Sequence, residues 1–155
     1  MMKQLTHLVF TALLLSVVCS GCERLSLQTN RQKDIILTKT EKAISAEVNR
    51  FAFDLFEQVS CEDKNFFISP LSASLALSMT ANGTAGATAG EMKKILGFEA
   101  FSYKDMNGFF RTMIRELSEA DKLTEIGIAN SIWIREGFPV RDAFKQLVKT
   151  WYLAM

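Results

Sequence analysis

The sequence predicts an α+β fold: a set of amphipathic helices and one long, almost uncharged strand. Two observations carry that class. Between residues 41 and 120, and again from 141 to 154, apolar residues recur at intervals of three and four, the period of a helix with one dry face. Between Leu123 and Ile134 the period changes to two. Ile126, Ile128, Ile132 and Ile134 alternate on one side, with Gly127, Ala129, Ser131 and Trp133 on the other. A third observation qualifies the class. Such a strand needs neighbours for its backbone N–H and C=O groups, and the only other strand candidate, Phe66–Ile68, is too short to supply them. The sequence therefore reads as part of a larger sheet protein with its remaining strands missing, and an unpaired strand of this composition invites aggregation.

Composition narrows the function. The chain has 155 residues, 48% of them hydrophobic and 23% charged, with a net charge of +1, which is globular composition. A nearly neutral chain argues against nucleic-acid binding, which needs a basic stripe. The single histidine, His7, lies inside the leader described next. The rest of the chain thus lacks the imidazole of Ser-His-Asp and Cys-His catalysis and of the commonest zinc sites. No cofactor, no metal and no enzymatic activity are expected, for want of a base–nucleophile pair.

Taken in order, residues 1–21 have the form of an export signal: Lys3, an apolar run from Leu8 to Val18, then small residues before Cys22. Eleven residues rise about 16 Å as a helix, against roughly 30 Å of bilayer core, so the run is too short to span. Cys19-Ser20-Gly21-Cys22 resembles a bacterial lipobox, in which the cysteine is acylated and becomes the mature N-terminus. That implies an exported, membrane-anchored lipoprotein, or else a secreted one, with residues 22–40 as a polar tether and 41–155 as the domain. Discarding Cys19 and acylating Cys22 leaves Cys61 alone, a buried structural thiol rather than half of a disulfide.

Thr38 and Glu41 form a capping-box pattern ahead of a helix striped by Ile44, Val48, Phe51, Leu55 and Val59. Phe66–Ile68 reads as a short buried strand. Ser69-Pro70 then opens a second helix, serine as N-cap and proline at the first helical position. The uncharged LSASLALSMT that follows should be buried centrally. Asn82-Gly83 ends it, and Thr88 with Glu91 suggests a second capping box, the new helix closing at Gly97. The intervening GTAGATAG lacks the Gly-Lys-Ser/Thr ending of a phosphate loop and follows a helix, not a strand. Residues 105–120 form a fourth helix with Met106, Phe109, Phe110, Met113, Ile114 and Leu117 inside; its outer charges are of mixed sign, unlike a heparin-type site. After the strand, Glu136-Gly137 turns the chain. Residues 141–154 form a last helix striped by Phe144, Leu147, Val148 and Trp151.

These residues resemble the serpins. Asn65-Phe66-Phe67-Ile68-Ser69-Pro70-Leu71-Ser72, then Ala76-Leu77-Ser78-Met79, Gly83-Thr84-Ala85-Gly86-Ala87-Thr88 and Glu91-Met92, are similar to that family's strand 6B and helices B and C. Ala129-Asn130-Ser131-Ile132-Trp133-Ile134 with Gly137-Phe138 is similar to strand 2A and the turn into helix E. The resemblance implies a serpin fold cut to helices A–E with those two strands, lacking most of the central sheet and the reactive loop. It implies a protease inhibitor acting, when complete, on serine or cysteine proteases by loop cleavage and insertion into the central sheet. Ser69 and Ser72 then match the shutter residues beneath the point where the sheet opens. Asn65, Pro70, Gly83, Thr88 and Asn130 match structural positions of the motif. The reactive site cannot be assigned within this chain. Two other readings stand beside this one: a serpin-like surface protein that binds a partner without inhibiting, and a truncated product with no inhibitory activity.

Overall fold

A computed structural model of the protein describes residues 33–60, 64–121 and 123–154, and five helices lie among them. The leader, Cys22 and Cys61 fall outside the described residues. Helix α1 (Lys39–Val59) opens on the expected capping box: Thr38 Oγ1 accepts the Glu41 N–H, and the Glu41 carboxylate accepts the Thr38 N–H at 2.9 Å. The same carboxylate accepts the Thr112 hydroxyl at 2.8 Å, tying the start of α1 to the fourth helix. Burial pushes the Glu41 carboxyl up, but the hydrogen bonds from Thr38 and Thr112 outweigh it and hold the group below its ordinary value. Ile44, Val48 and Phe51 are buried along the predicted stripe, with Leu55 and Val59 half-buried.

Helix α2 (Pro70–Ala81) packs against the other four helices through Ser74, Leu75, Ser78 and Met79. Central burial was the expectation for this uncharged helix, and half of it holds. Ser72, Ala76, Leu77 and Thr80 are exposed, because the helices cover one side only. Helix α3 (Gly86–Leu96) corrects a second expectation. Its N-cap is Ala85, with no side-chain hydrogen bond, and the Thr88–Glu91 capping box does not form. Gly86 at φ +59° lets the chain enter the helix three residues early, so Thr88 is already helical and exposed. The far end behaves as predicted. Gly97 sits at φ +73°, and the Phe98 N–H reaches Lys93 O at 2.7 Å. A Cβ at Gly97 would fall into the Glu47–Arg50 ion pair of α1, so glycine is needed here for space as well as for conformation.

Helix α4 (Tyr103–Ser118) has a capping box between Ser102 and Asp105. The Ser102 hydroxyl and backbone N–H both donate to the Asp105 carboxylate and hold its pKa below the ordinary value. Ser102→Ala should cost about 1 kcal/mol by urea titration at neutral pH. The sign of the pH effect follows from the lowered pKa: the Asp105 contribution is present above the ordinary carboxylate range and is lost as pH falls through the folded-state value. The difference between wild type and Ser102→Ala should therefore shrink in acid. Helix α5 (Asp142–Tyr152) ends at Leu153, at φ +53°, with Val148 and Tyr152 buried.

The core is aromatic. Phe110 is fully buried, its ring centroid 6.1 Å from Phe98, 5.2 Å from Phe109 and 6.1 Å from Tyr152, with Ile44, Leu75, Leu96 and Met106 packed around the cluster.

The two strand expectations are corrected in one respect: among the described residues no β-ladder forms. Along 127–132 burial does alternate as a strand requires, with Ile128, Asn130 and Ile132 half-buried toward the helices and Gly127, Ala129 and Ser131 exposed, while Ile126 and Ile134 are exposed. A strand with so little charge on either face is expected to be covered on both sides, but the other side is uncovered among the described residues, and Trp133 is 93% exposed. Phe66–Ile68, expected to be buried, leaves Phe67 96% exposed, while Phe66 meets Phe56 at 5.6 Å between centroids. The reason is common to both. Alternation sets which way side chains point, but a strand exists only where a neighbour takes its backbone bonds.

Candidate functional site

Helix α2 carries polar groups at both ends, with Ser69, Pro70 and Ser72 at its start and Gly83 just past its end. At its start Ser69 is the N-cap, accepting the Ser72 N–H at 3.4 Å, while the Ser69 and Ser72 hydroxyls share a hydrogen bond of 2.8 Å. Pro70 occupies the first helical position, and its carbonyl accepts the Ser74 hydroxyl at 2.9 Å. Both residues of the pair are exposed. Two hydroxyls bring two hydrogens, and their mutual bond uses one. The second hydrogen, and lone pairs on both oxygens, remain available to another partner without rebuilding the helix.

At the other end a buried polar network closes on three helices. Asn82, the C-cap of α2, and Asn107 of α4 exchange amide hydrogen bonds, each 2.9 Å. The Tyr152 hydroxyl of α5 donates to Asn107 Oδ1 at 2.7 Å, and Asn82 Nδ2 lies 3.3 Å from the phenolic oxygen. Asn130 donates to the Tyr152 carbonyl at 2.9 Å and so pins the extended segment to the end of α5. Tyr152 is fully buried, and burial raises its pKa strongly by disfavouring the phenolate, against a smaller lowering by Asn82. The network is neutral, and its amide and hydroxyl groups are hydrogen-bonded to one another.

Gly83 follows Asn82, and a Cβ there would press on the Phe144 ring at 3.0 Å. This contact explains glycine at a position where φ is ordinary. Gly83, Thr84, Phe138, Pro139, Phe144 and Leu147 line an open groove of about 780 Å³. Of the remaining predicted residues, Asn130 is held by its bond to the Tyr152 carbonyl, and Asn65 and Thr88 are exposed. Asn82, Asn107 and Tyr152 were not foreseen. The available hint was Asn107 sitting inside the apolar stripe of α4, between Met106 and Phe109.

Comparison with known proteins places these elements in a family. The family model described as serpin (serine protease inhibitor) matches residues 46–155. A leukocyte elastase inhibitor of Xenopus laevis is 35% identical over 114 residues, covering 72% of this chain and 30% of its own length. A serpin-like protein of Thermococcus kodakarensis is 29% identical over 120 residues, covering 77% of this chain and 28% of its own. Among solved structures, reactive-loop-cleaved human thyroxine-binding globulin superposes with a TM-score of 0.66 at 31% identity, over 75% of this chain and 35% of that one. An Arabidopsis serpin in its native stressed conformation gives 0.60 at 27% identity, over 77% and 31%. The chain thus spans about a third of the length of the relatives it matches. With the family model, the sequence relatives and the helical arrangement in agreement, the chain belongs to the serpin family, whose members are protease inhibitors as a class and not enzymes.

Proposed function

We propose that these 155 residues are the N-terminal part of an exported serpin that, when complete, inhibits a serine or cysteine protease. The observation that carries this reading is the unbroken match over residues 46–155, shared with a relative named as an elastase inhibitor. In this reading the reactive loop lies beyond the segment in hand, and the protease supplies the nucleophile. This chain contributes the helical base on which the central sheet opens. Ser69 and Ser72 serve as the shutter: their shared bond leaves one hydroxyl hydrogen to be traded between the closed and the expanded sheet. Acylated Cys22 anchors the protein to a membrane, with residues 22–40 as the tether.

The test uses the whole translation product of the gene, incubated with elastase-like, trypsin-like and papain-like proteases. An SDS-resistant complex together with release of a small C-terminal peptide is expected. Clean cleavage without a complex would instead support a non-inhibitory binding protein, a reading favoured by the similarity to a globulin named for binding thyroxine. The 155-residue chain alone should form no such complex, and forming one would overturn the assignment of the loop. Incorporation of labelled fatty acid, lost in Cys22→Ser, tests the anchor.

A further inference from the structure

Both amides of the polar network at the end of α2 are followed by glycine. Asn82-Gly83 and Asn107-Gly108 are the two Asn-Gly dipeptides of the chain, and they are the pair that exchange side-chain hydrogen bonds. Asparagine is a chemically labile residue, most of all before glycine, where no side chain hinders attack of the following nitrogen on the asparagine side-chain carbonyl. In that attack the bond from the glycine nitrogen to Cγ forms and the Cγ–Nδ2 bond breaks. Ammonia leaves with the proton given up by the glycine N–H. Water then opens the resulting succinimide at either carbonyl, leaving aspartate or isoaspartate, and is the only co-reactant.

We propose that Asn82 is a self-modification site, shielded while α5 is docked and converted to an acid once α5 is released. In the docked state its amide cannot turn. Asn82 Nδ2 donates to the Ser78 carbonyl at 2.8 Å and to Asn107 Oδ1 at 2.9 Å and lies 3.3 Å from the Tyr152 hydroxyl, while Asn107 Nδ2 donates to its Oδ1. The attacking nitrogen is engaged as well, since the Gly83 N–H donates to the Thr80 carbonyl at 2.9 Å. A Cβ at 83 would lie 3.0 Å from the Phe144 ring, so packing imposes the labile pair and the network supplies its protection. The two dipeptides differ in how they are released. Asn107 and Gly108 lie inside α4, where each N–H is committed to the carbonyl four residues back. Asn82 is the half-buried C-cap of α2, and Gly83 beyond it is exposed. Withdrawing Tyr152 thus frees the first pair and leaves the second in its helix. The change runs one way. Aspartate at 82 has no hydrogens to offer the Ser78 carbonyl or Asn107 Oδ1, and isoaspartate adds a carbon to the backbone at the helix cap, so α5 cannot dock as before. All these groups lie within residues 46–155, the part that matches the serpin family, and the inference does not rest on the inhibitor reading.

The full 155-residue chain, incubated at neutral pH, digested in acid and mapped by mass spectrometry, reads the two sites separately. In concentrated urea both asparagines should convert at similar rates. In the folded chain Asn82 should convert about a hundred-fold more slowly than in urea, and still ahead of Asn107. Tyr152→Ala should speed Asn82 about ten-fold and leave Asn107 unchanged. Should that variant lose its helical circular dichroism, Arg111→Ala decides. The exposed Arg111 side chain lies outside the network and donates to the Thr150 carbonyl of α5 at 2.7 Å, and its loss should speed Asn82 about three-fold. Folded-state conversion of Asn82 at the urea rate, or an Asn82 unaffected by either variant, overturns the proposal. So do Asn82 and Asn107 converting together in every folded chain, as global unfolding would produce. An Asn82→Asp chain whose residues 142–152 exchange amide hydrogens as slowly as wild type overturns the one-way step.

Discussion

Replacing Phe110 with alanine should lower the stability of the helical core by about 3–5 kcal/mol, the largest effect expected of any single change in this chain. The reason is geometric. Phe110 has no exposed surface, and its ring is in contact distance of three others, from the loop after α3 (Phe98), from α4 itself (Phe109) and from α5 (Tyr152). Alanine removes the common member of all three pairs and leaves a void bounded by rigid rings, which close in poorly. Since domains of this size are stable by only about 5–15 kcal/mol, the loss would approach the whole. Urea titration followed at 222 nm measures it. Phe110→Leu, which keeps most of the volume, should cost less than about half as much. Equal losses for the two variants would show that ring contacts, rather than filled space, carry the energy.

Asn107→Leu is the second large effect, at about 2–4 kcal/mol, although it replaces a polar side chain by an apolar one of similar size in a buried place. Leucine leaves the fully buried Tyr152 hydroxyl without its 2.7 Å acceptor and the half-buried Asn82 amide without its reciprocal partner. Tyr152→Phe should cost less, since it withdraws the hydroxyl along with its need for a partner. The double variant Asn107→Leu/Tyr152→Phe should cost less than the sum of the two, a coupling that a double-mutant cycle reads directly. The same phenol gives an alkaline signature. Its folded-state pKa is raised above the ordinary value of 10.0, so its contribution is fully present below about pH 10. Above that, the unfolded chain ionises while the folded one does not, and the contribution is lost as pH rises. The stability gap between wild type and Tyr152→Phe should narrow there.

The helices were legible because each rests on a short-range signal. Thr38 and Glu41 lie three residues apart and cap as that spacing predicts, and Ile44, Val48 and Phe51 are buried because their spacing follows the helix turn. The failures have equally definite causes. Thr88 and Glu91 carry the capping pattern, but Gly86 offered the chain an earlier entry. Ser102 and Asp105 make the second capping box with aspartate in place of the usual glutamate, so the familiar pattern did not point to them. The Ile126–Ile134 alternation reported orientation correctly only in its middle, at Ile128 and Ile132, and pairing not at all, since pairing belongs to two segments and not to one. At the candidate site, Ser69, Pro70 and Gly83 were readable from local motif and turn chemistry. Asn82, Asn107 and Tyr152 were not, because a hydrogen bond between residues 25, 45 or 70 positions apart leaves no periodic trace.

Those separations also bear on the order of events in folding. Helices α1 to α4 follow one another with short connections, and their contacts form at small cost in loop closure. Helix α5 comes after a stretch of some twenty residues without a helix, and its tyrosine must find two amides that are already in place. A contact of such long range is expected to form after the main barrier has been crossed, which would make the Asn82–Asn107–Tyr152 cluster a latch on the finished structure. Loosening it should leave the refolding rate nearly unchanged and appear almost wholly as faster unfolding. The cluster would thus set how long α5 stays docked, and with it how long Asn130 holds the extended segment at the end of that helix.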